Sequence, residues 1–312
     1  MSTELMNLID SRGRNSEDRA KARALAEKVN EEARKHWDDA SWRREAAAVL
    51  TQSIQEGFEY ETFYDDIVTT ERIGFDDRSY MEEETGLEVF FIAKGGHIEA
   101  SSMVSEVLEM PRDTMGFHVY EFEDKMRSNF AKSAATLRNL AVRRLDAALH
   151  LQLRALVEAG IGVASPYYIS GAGISQTALN QAIREVRDES ESGVVTVIGR
   201  SPVVDQITDF PGYADEALEE IRQRGRLGVY HGASVVSVRN YKDQNGVSFA
   251  PANELWVIAN DSSKMAFYGG LLSKEYVEPD NWYWHYIGRQ DFGGVMHRPE
   301  RVRRMIDTNI VP

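Results

Sequence analysis

EFEDKMRSNFAKSAATLRNLAVRRLDAALHLQLRALVEAG, residues 121–160, carries the strongest hydrophobic period in the chain. Met126, Phe130, Leu137, Ala141, Leu145 and Leu149 recur at helical spacing, and Gly160 stops the pattern. A helix over the whole stretch would be about 50–60 Å long, well beyond the usual globular helix. It would span an entire molecule, so the rest of the chain has to be arranged around it.

On its N-terminal side the sequence reads as two helices and a hairpin. Residues 15–36 predict a helix capped by Asn15 or Ser16, with a thin apolar set of Ala22, Leu25, Ala26, Val29 and Ala33. So polar a helix is expected to be an arm, or to pack on another chain. A second helix is expected over 42–56, with Trp42, Ala46, Val49, Leu50 and Ile54 on its apolar side. From Phe58 to Glu106, strand-forming segments flank the acidic stretch DDRSYMEEETG. The expectation is a long hairpin with a solvated tip that carries Tyr80 and Met81. It has too little apolar surface for its own core, so it should rest on something else.

On the C-terminal side, residues 165–275 alternate short strands with shorter helices. Leu179, Ala182, Ile183 and Val186 give a helix over 175–187 one buried face. GVVTVIGR, residues 193–200, reads as a buried strand. Ser201 is the expected cap of a short helix with Pro202 at its first position. YADEALEEIRQRG predicts a helix ending in Gly225, and YKDQNG predicts a turn between two strands. The fold class is therefore α+β: projecting elements, one overlong helix and a compact α/β domain. Residues 276–312 return to strand character.

The totals suit a globular chain. Of 312 residues, 42% are hydrophobic and 28% charged, with a net charge of −14. That acidity argues against gripping DNA through a basic surface. The chain has no cysteine, which excludes thiol nucleophiles, disulfides and Cys-ligated metals. No signal-peptide pattern or membrane-length apolar run is present, so a soluble, intracellularly made protein without membrane contact is expected.

The search for chemistry finds turns and caps. SGAGISQ, residues 170–176, has two glycines before a helix, the outline of a phosphate loop. It lacks the Lys of one such motif and the third Gly of another, so a turn with Ser175 as helix cap explains it better. The seven histidines show no HExxH-type spacing, and HIE at 97–99 has no cysteines to complete a zinc site. No GxSxG is present. Trp282 and Trp284 flank Tyr283 and read as core plus interface, not as a nucleobase platform. No cofactor and no catalytic residue is expected, although an enzyme built on scattered metal- or nucleotide-binding residues stays open as an alternative.

The order of parts resembles the HK97-type major capsid proteins of tailed bacteriophages. Its carriers are the long helix, ALNQAIREVRDES followed by VVTVIGRSPVVDQI, and RLGVYHGASVVSVRN followed by NELWVIAND. The resemblance covers nearly the whole chain. It implies an N-terminal arm with helices at 1–57, an E-loop hairpin at 58–106, and a P-domain with its spine helix at 107–165. An A-domain at 166–275 and a return to the P-domain at 276–312 complete the division.

The implied function is self-assembly as pentamers and hexamers into an icosahedral shell around double-stranded DNA, located in the virion. The subunits would be made in a host bacterial cytoplasm. Partners would be a separate scaffolding protein, a portal and a possible decoration protein. An encapsulin-like nanocompartment shell shares the fold and is the alternative. Contacts between subunits would involve Tyr80, Met81, Trp282 and Trp284, and Gly-marked loops such as QDFGG or YHGAS would gather at the symmetry axes. Some relatives cross-link a hairpin Lys to a neighbour's Asn; Lys94 and Asn309 are the residues here that such chemistry would use. The start at Met1 is taken to mean that no N-terminal piece is removed.

Overall fold

The computed structural model describes residues 16–61, 67–85, 104–210, 228–238, 251–278 and 280–311. Helix α1 (Ser16–His36) and helix α2 (Ala40–Glu61) come first. Asp39 Oδ1 accepts the Ser41 N–H at 2.8 Å, capping α2. The long periodic stretch divides into three elements. Strand β4 (Asp113–Phe122) ends inside it, helix α3 (Glu123–Ser128) follows, and helix α4 (Phe130–Gly160) carries the rest. At 31 residues α4 is about 46 Å long, shorter than expected.

The break falls at Asn129, with φ −144° and ψ 49°. Ser128 and Asn129 are residues that trade helical for local hydrogen bonds. Met126 and Phe130 are buried on both sides of the break, which is why the apolar period runs through it unmarked.

The arm expectation changes for the described helix. Val29 and Ala33 of α1, and Trp37 just beyond it, are buried in the core of their own chain. Asn30 Oδ1 accepts the Ala131 N–H at 2.9 Å, and Trp37 Nε1 donates to Glu123 Oε1 at 2.8 Å. Helix α1 thus supplies from a distance the cap that Asn129 does not give the spine. Its narrow apolar stripe suffices because it meets only the joint between α3 and α4.

Three sheets follow. The first has the order β1-β10-β11-β4, with β1 (Thr69–Ile73), β10 (Ser263–Glu278) and β11 (Tyr283–Met296). Strand β1 runs parallel to β10, and the other pairs are antiparallel. The second has the order β5-β12-β9-β6-β8-β7. Its strands are β5 (Tyr168–Gly171), β6 (Val195–Arg200), β7 (Val229–Tyr230), β8 (Ala233–Val238), β9 (Glu254–Ala259) and β12 (Val302–Asp307). Strands β2 (Tyr80–Thr85) and β3 (Val104–Glu109) form a separate antiparallel pair.

Sheet membership departs from the expected boundaries. Residue 275 falls inside β10, which belongs to the four-stranded sheet. The last strand, β12, lies between β5 and β9 in the six-stranded sheet, so 276–312 does not return wholly to the body around the spine. Hairpin pairing starts at Tyr80, because α2 continues to Glu61 and β1 joins β10.

Among the described residues, the two larger of three hydrophobic clusters hold the body. The larger joins α1, α2 and α4 to the four-stranded sheet and takes in Ile198, Trp256 and Val302 from the six-stranded one. The smaller packs helix α5 (Gln176–Glu189) on the six-stranded sheet through Leu179, Ala182, Ile183 and Val186. All six residues of β9 are buried, as a strand covered on both faces requires.

The helix α6 (Ser201–Val204) has Pro202 in its first turn, but the Ser201 hydroxyl does not cap it. It faces the Ser237 hydroxyl at 3.1 Å instead. The helix expected to end at Gly225 and the YKDQNG turn lie outside the described residues.

Candidate assembly surfaces

The loop at 170–176 is a turn whose Gly173 and Ile174 amides are already satisfied. Gly173 adopts φ +90°, a conformation that strains any side chain. Its N–H donates to Asp307 Oδ1 at 2.8 Å, and the Ile174 N–H donates to Gln206 Oε1 at 3.0 Å. Gln206 Nε2 also donates to Asp307 Oδ2, and Ser175 Oγ caps α5 by accepting from Ala178 N. The donors a phosphate would need are therefore held by the protein's own carboxylate and amide. Burial pushes the Asp307 carboxyl upward, but the bonds from Gln206 and from the Asn309 and Gly173 amides outweigh it. The group is held below the usual carboxylate range. Asn309 sits beside this turn, its backbone N–H on Asp307 Oδ1 at 2.8 Å. Lys94 lies outside the described residues.

The β2–β3 hairpin is tied to the four-stranded sheet at its base. Lys264 Nζ donates to the Tyr80 carbonyl at 3.1 Å and pairs with Glu71 at 2.8 Å. Ser79 Oγ also donates to Glu71, and these two partners lower the Glu71 carboxyl despite some opposing burial. Tyr80 pairs with Glu109 and Met81 with Leu108, while Thr85 pairs with Val104. Tyr80 and Met81 therefore stand at the base of the β2–β3 pair; residues 86–103, which connect the two strands in sequence, lie outside the described residues. Tyr80 and Val107 are exposed, at 42% and 53%.

Trp282 and Trp284 separate cleanly. Trp284 is 2% exposed and stacks on Tyr286 with ring centroids 5.7 Å apart. It is a core residue of its own chain. Trp282, at 69% exposure, ends the turn between β10 and β11 with φ 55°. Its carbonyl accepts the Glu123 N–H at 2.9 Å, so the backbone starts α3 while the ring faces out.

The outward face of the same sheet carries residues that the sequence analysis missed. Tyr120, Phe122 and Tyr276 are exposed there, together with His118, and Phe122 meets Tyr283 with ring centroids 4.7 Å apart. The signal was the alternation in GFHVYEF, residues 116–122, which places Phe117 and Val119 inward and His118, Tyr120 and Phe122 outward. An aromatic pattern on both faces marks a strand with a core on one side and a partner or solvent on the other.

The Gly-marked segments also separate. QDFGG lies inside β11, with Asp291 and Phe292 paired on both sides and the two glycines paired with β10, and is not a loop. A side chain at Gly294 would stand 2.7 Å from Leu156 of α4, so glycine here lets sheet and spine approach. YHGAS is the turn between β7 and β8, with His231 at φ 48°.

Two other shifted carboxylates serve ion pairs that join elements. Glu191 is held down to about 2 by Arg298 and Arg301. Asp291 is pushed up by burial, but Arg112 and Thr114 bring it below its ordinary value. Neither faces a nucleophile or a second carboxylate across a cleft.

Comparison with known proteins agrees with this geometry. The family model described as "SPbeta prophage-derived putative capsid protein YonB" matches residues 4–282. No curated protein sequence matches the chain. Among solved structures, the mature capsid of bacteriophage PhiM1 aligns at TM-score 0.55 and 13% identity, over 80% of this chain and 88% of that one. Gordonia phage Cozz aligns at TM-score 0.57 and 12% identity, over 78% and 85%. The capsid of an empty GTA particle aligns at TM-score 0.55 and 10% identity, over 78% and 88%. With its spine helix, two sheets and projecting hairpin, the chain has the HK97-type α+β fold and belongs to the YonB family of phage capsid proteins.

Proposed function

We propose that this chain is a major capsid protein whose copies gather as pentamers and hexamers into a closed icosahedral shell around double-stranded DNA. The observation that carries the reading is a fold shared over most of both chains with the mature capsid of bacteriophage PhiM1. In this reading the four-stranded sheet and α4 form the P-domain and the six-stranded sheet forms the A-domain. The β2–β3 hairpin is the E-loop: it exposes Tyr80 and Val107 and gains a core only by lying on a neighbour. The protein's work is containment rather than catalysis. Its net charge of −14 repels packaged phosphates and leaves the genome mobile. A separate scaffolding protein, a portal and a decoration protein are its partners, and its place is the virion.

The test is electron microscopy with light scattering on the expressed protein, alone and with its neighbouring gene products. Closed particles or rings of five and six are expected. Replacing residues 83–106 by a two-residue turn should leave a folded subunit that forms no shells. Normal shells from that variant would remove the E-loop assignment. A small oligomer that never assembles would overturn the capsid reading, and particles filled with protein cargo in place of DNA would make it a nanocompartment.

A further inference from the structure

The outward face of the four-stranded sheet holds two imidazoles that the capsid reading does not use. His118 on β4 and His285 on β11 are diagonal neighbours across an antiparallel pair, since His118 opposes Ile287 and His285 opposes Tyr120. His118 Nε2 lies 2.9 Å from His285 Nδ1. The other ring nitrogen of His285, Nε2, lies 3.3 Å from Glu278 Oε2. Tyr276 stacks flat on the His285 ring, with centroids 4.5 Å apart and planes 5° apart.

These contacts fix a tautomer. A carboxylate only accepts, so Glu278 holds the proton of His285 on Nε2. The Nδ1 lone pair then points at His118 Nε2. Tyr276 stacked on one face of the ring and Glu278 on its Nε2 hold His285 in this orientation. His285 is 8% exposed, whereas His118 is open to solvent. A fixed imidazole, oriented by a carboxylate on its far nitrogen and facing a second, movable imidazole, is the arrangement of a metal-ligating histidine pair.

We propose that His118 Nε2 and His285 Nδ1 form a binding site for a borderline divalent cation of the zinc and nickel class. Two nitrogen ligands on a tetrahedral zinc ion stand about 3.3 Å apart, given bonds of about 2.0–2.1 Å. The observed 2.9 Å needs a small opening, which the exposed His118 side chain can supply by rotating. His118 moves its own proton to Nδ1 on binding, so the neutral pair takes the ion without net loss of a proton. Among the described residues no third His, Asp or Glu joins the pair as a ligand, so the remaining positions are filled by water. Imidazole ligands favour nickel, copper and zinc over magnesium and calcium. The bound ion would staple β4 to β11 under the aromatic rim of Tyr120, Tyr283 and Tyr276.

The experiment uses the untagged, unassembled full-length subunit, so its outcome does not depend on shell formation. Calorimetric titration with zinc chloride and with nickel chloride should show one site per chain, and magnesium chloride none. Cobalt chloride should give a visible d–d band that EDTA abolishes. His118→Gln alters an exposed residue and should keep the native circular dichroism. It should weaken zinc binding at least about 10-fold, and Glu278→Gln by about 10-fold through loss of the orienting charge. Zinc should raise the melting temperature of the wild type and leave that of His118→Gln unchanged. No zinc uptake by the wild type, or equal affinity in His118→Gln, would show a hydrogen-bonded pair only and overturn the proposal.

Discussion

Acidification should weaken the subunit through one buried histidine of the spine. His150 of α4 is 7% exposed, and burial depresses its imidazole from 6.5 to about 4. Asp146, one turn earlier, comes to 3.8 Å of Nε2. A carboxylate so placed favours the protonated ring, so the two influences oppose. The separation is too long for a hydrogen bond, and we take desolvation to prevail. The folded value lies below the unfolded one, so the unfolded chain takes up the proton first. The contribution is intact above about pH 6.5, is lost as pH falls from there to about 4, and is constant below. At pH 5 the loss from this group amounts to about 2 kcal/mol. Urea denaturation of the unassembled subunit at pH 7.5 and pH 5, followed by tryptophan fluorescence, measures it. Trp37, Trp42 and Trp284 are buried reporters. The wild type should lose about 2 kcal/mol more than His150→Leu between the two conditions. Parallel pH profiles in the two proteins would refute the reasoning and mean that Asp146 keeps the folded imidazole charged.

Two further perturbations test the packing. Trp284→Ala should cost about 3–5 kcal/mol and leave little folded subunit. Trp282→Ala should change melting by less than about 0.5 kcal/mol yet reduce the yield of shells in electron micrographs. Arg304 joins Glu158 of the spine, at 3.0 Å, to the buried Glu254 of β9. Arg304→Met should cost about 3–5 kcal/mol in chemical denaturation by stranding that carboxylate. Adding Glu254→Gln should restore part of the loss, because Gln can still accept the Trp256 Nε1–H that Glu254 holds at 2.7 Å.

Elements whose burial follows their own period were legible in the sequence. The faces of α4 and α5 and the apolar run of β9 from Leu255 to Ala259 are of this kind, since each residue's environment repeats along one segment. The break at Asn129 was hidden because it conserves the apolar face: Met126 and Phe130 are buried on either side of it. The α1 helix was misjudged for a related reason. Its narrow apolar stripe, Val29 and Ala33, is completed by single polar contacts, Asn30 to Ala131 and Arg34 to the Ser128 carbonyl, which no period announces.

Candidate assembly residues were legible only where exposure follows from local pattern, and exposure in a strand depends on which sheet receives it. Trp282 and Trp284 are alike in sequence and opposite in fate, because one ends a turn and the other faces the spine. Strand β12 shows the same dependence on a larger scale. VRRMID has Val302 and Met305 to bury and Arg303 and Arg304 to pair, and either sheet could have taken its apolar residues. The arginines decide. Arg303 finds Glu185 on α5, and Arg304 finds Glu254 on β9 and Glu158 on the spine. The partners of Arg304, 50 and 146 residues away, meet at the seam between the six-stranded sheet and α4, while Arg303 ties the opposite face of the strand to α5. Since the chain's end closes that seam, a subunit truncated before β12 should lose the register between its two sheets.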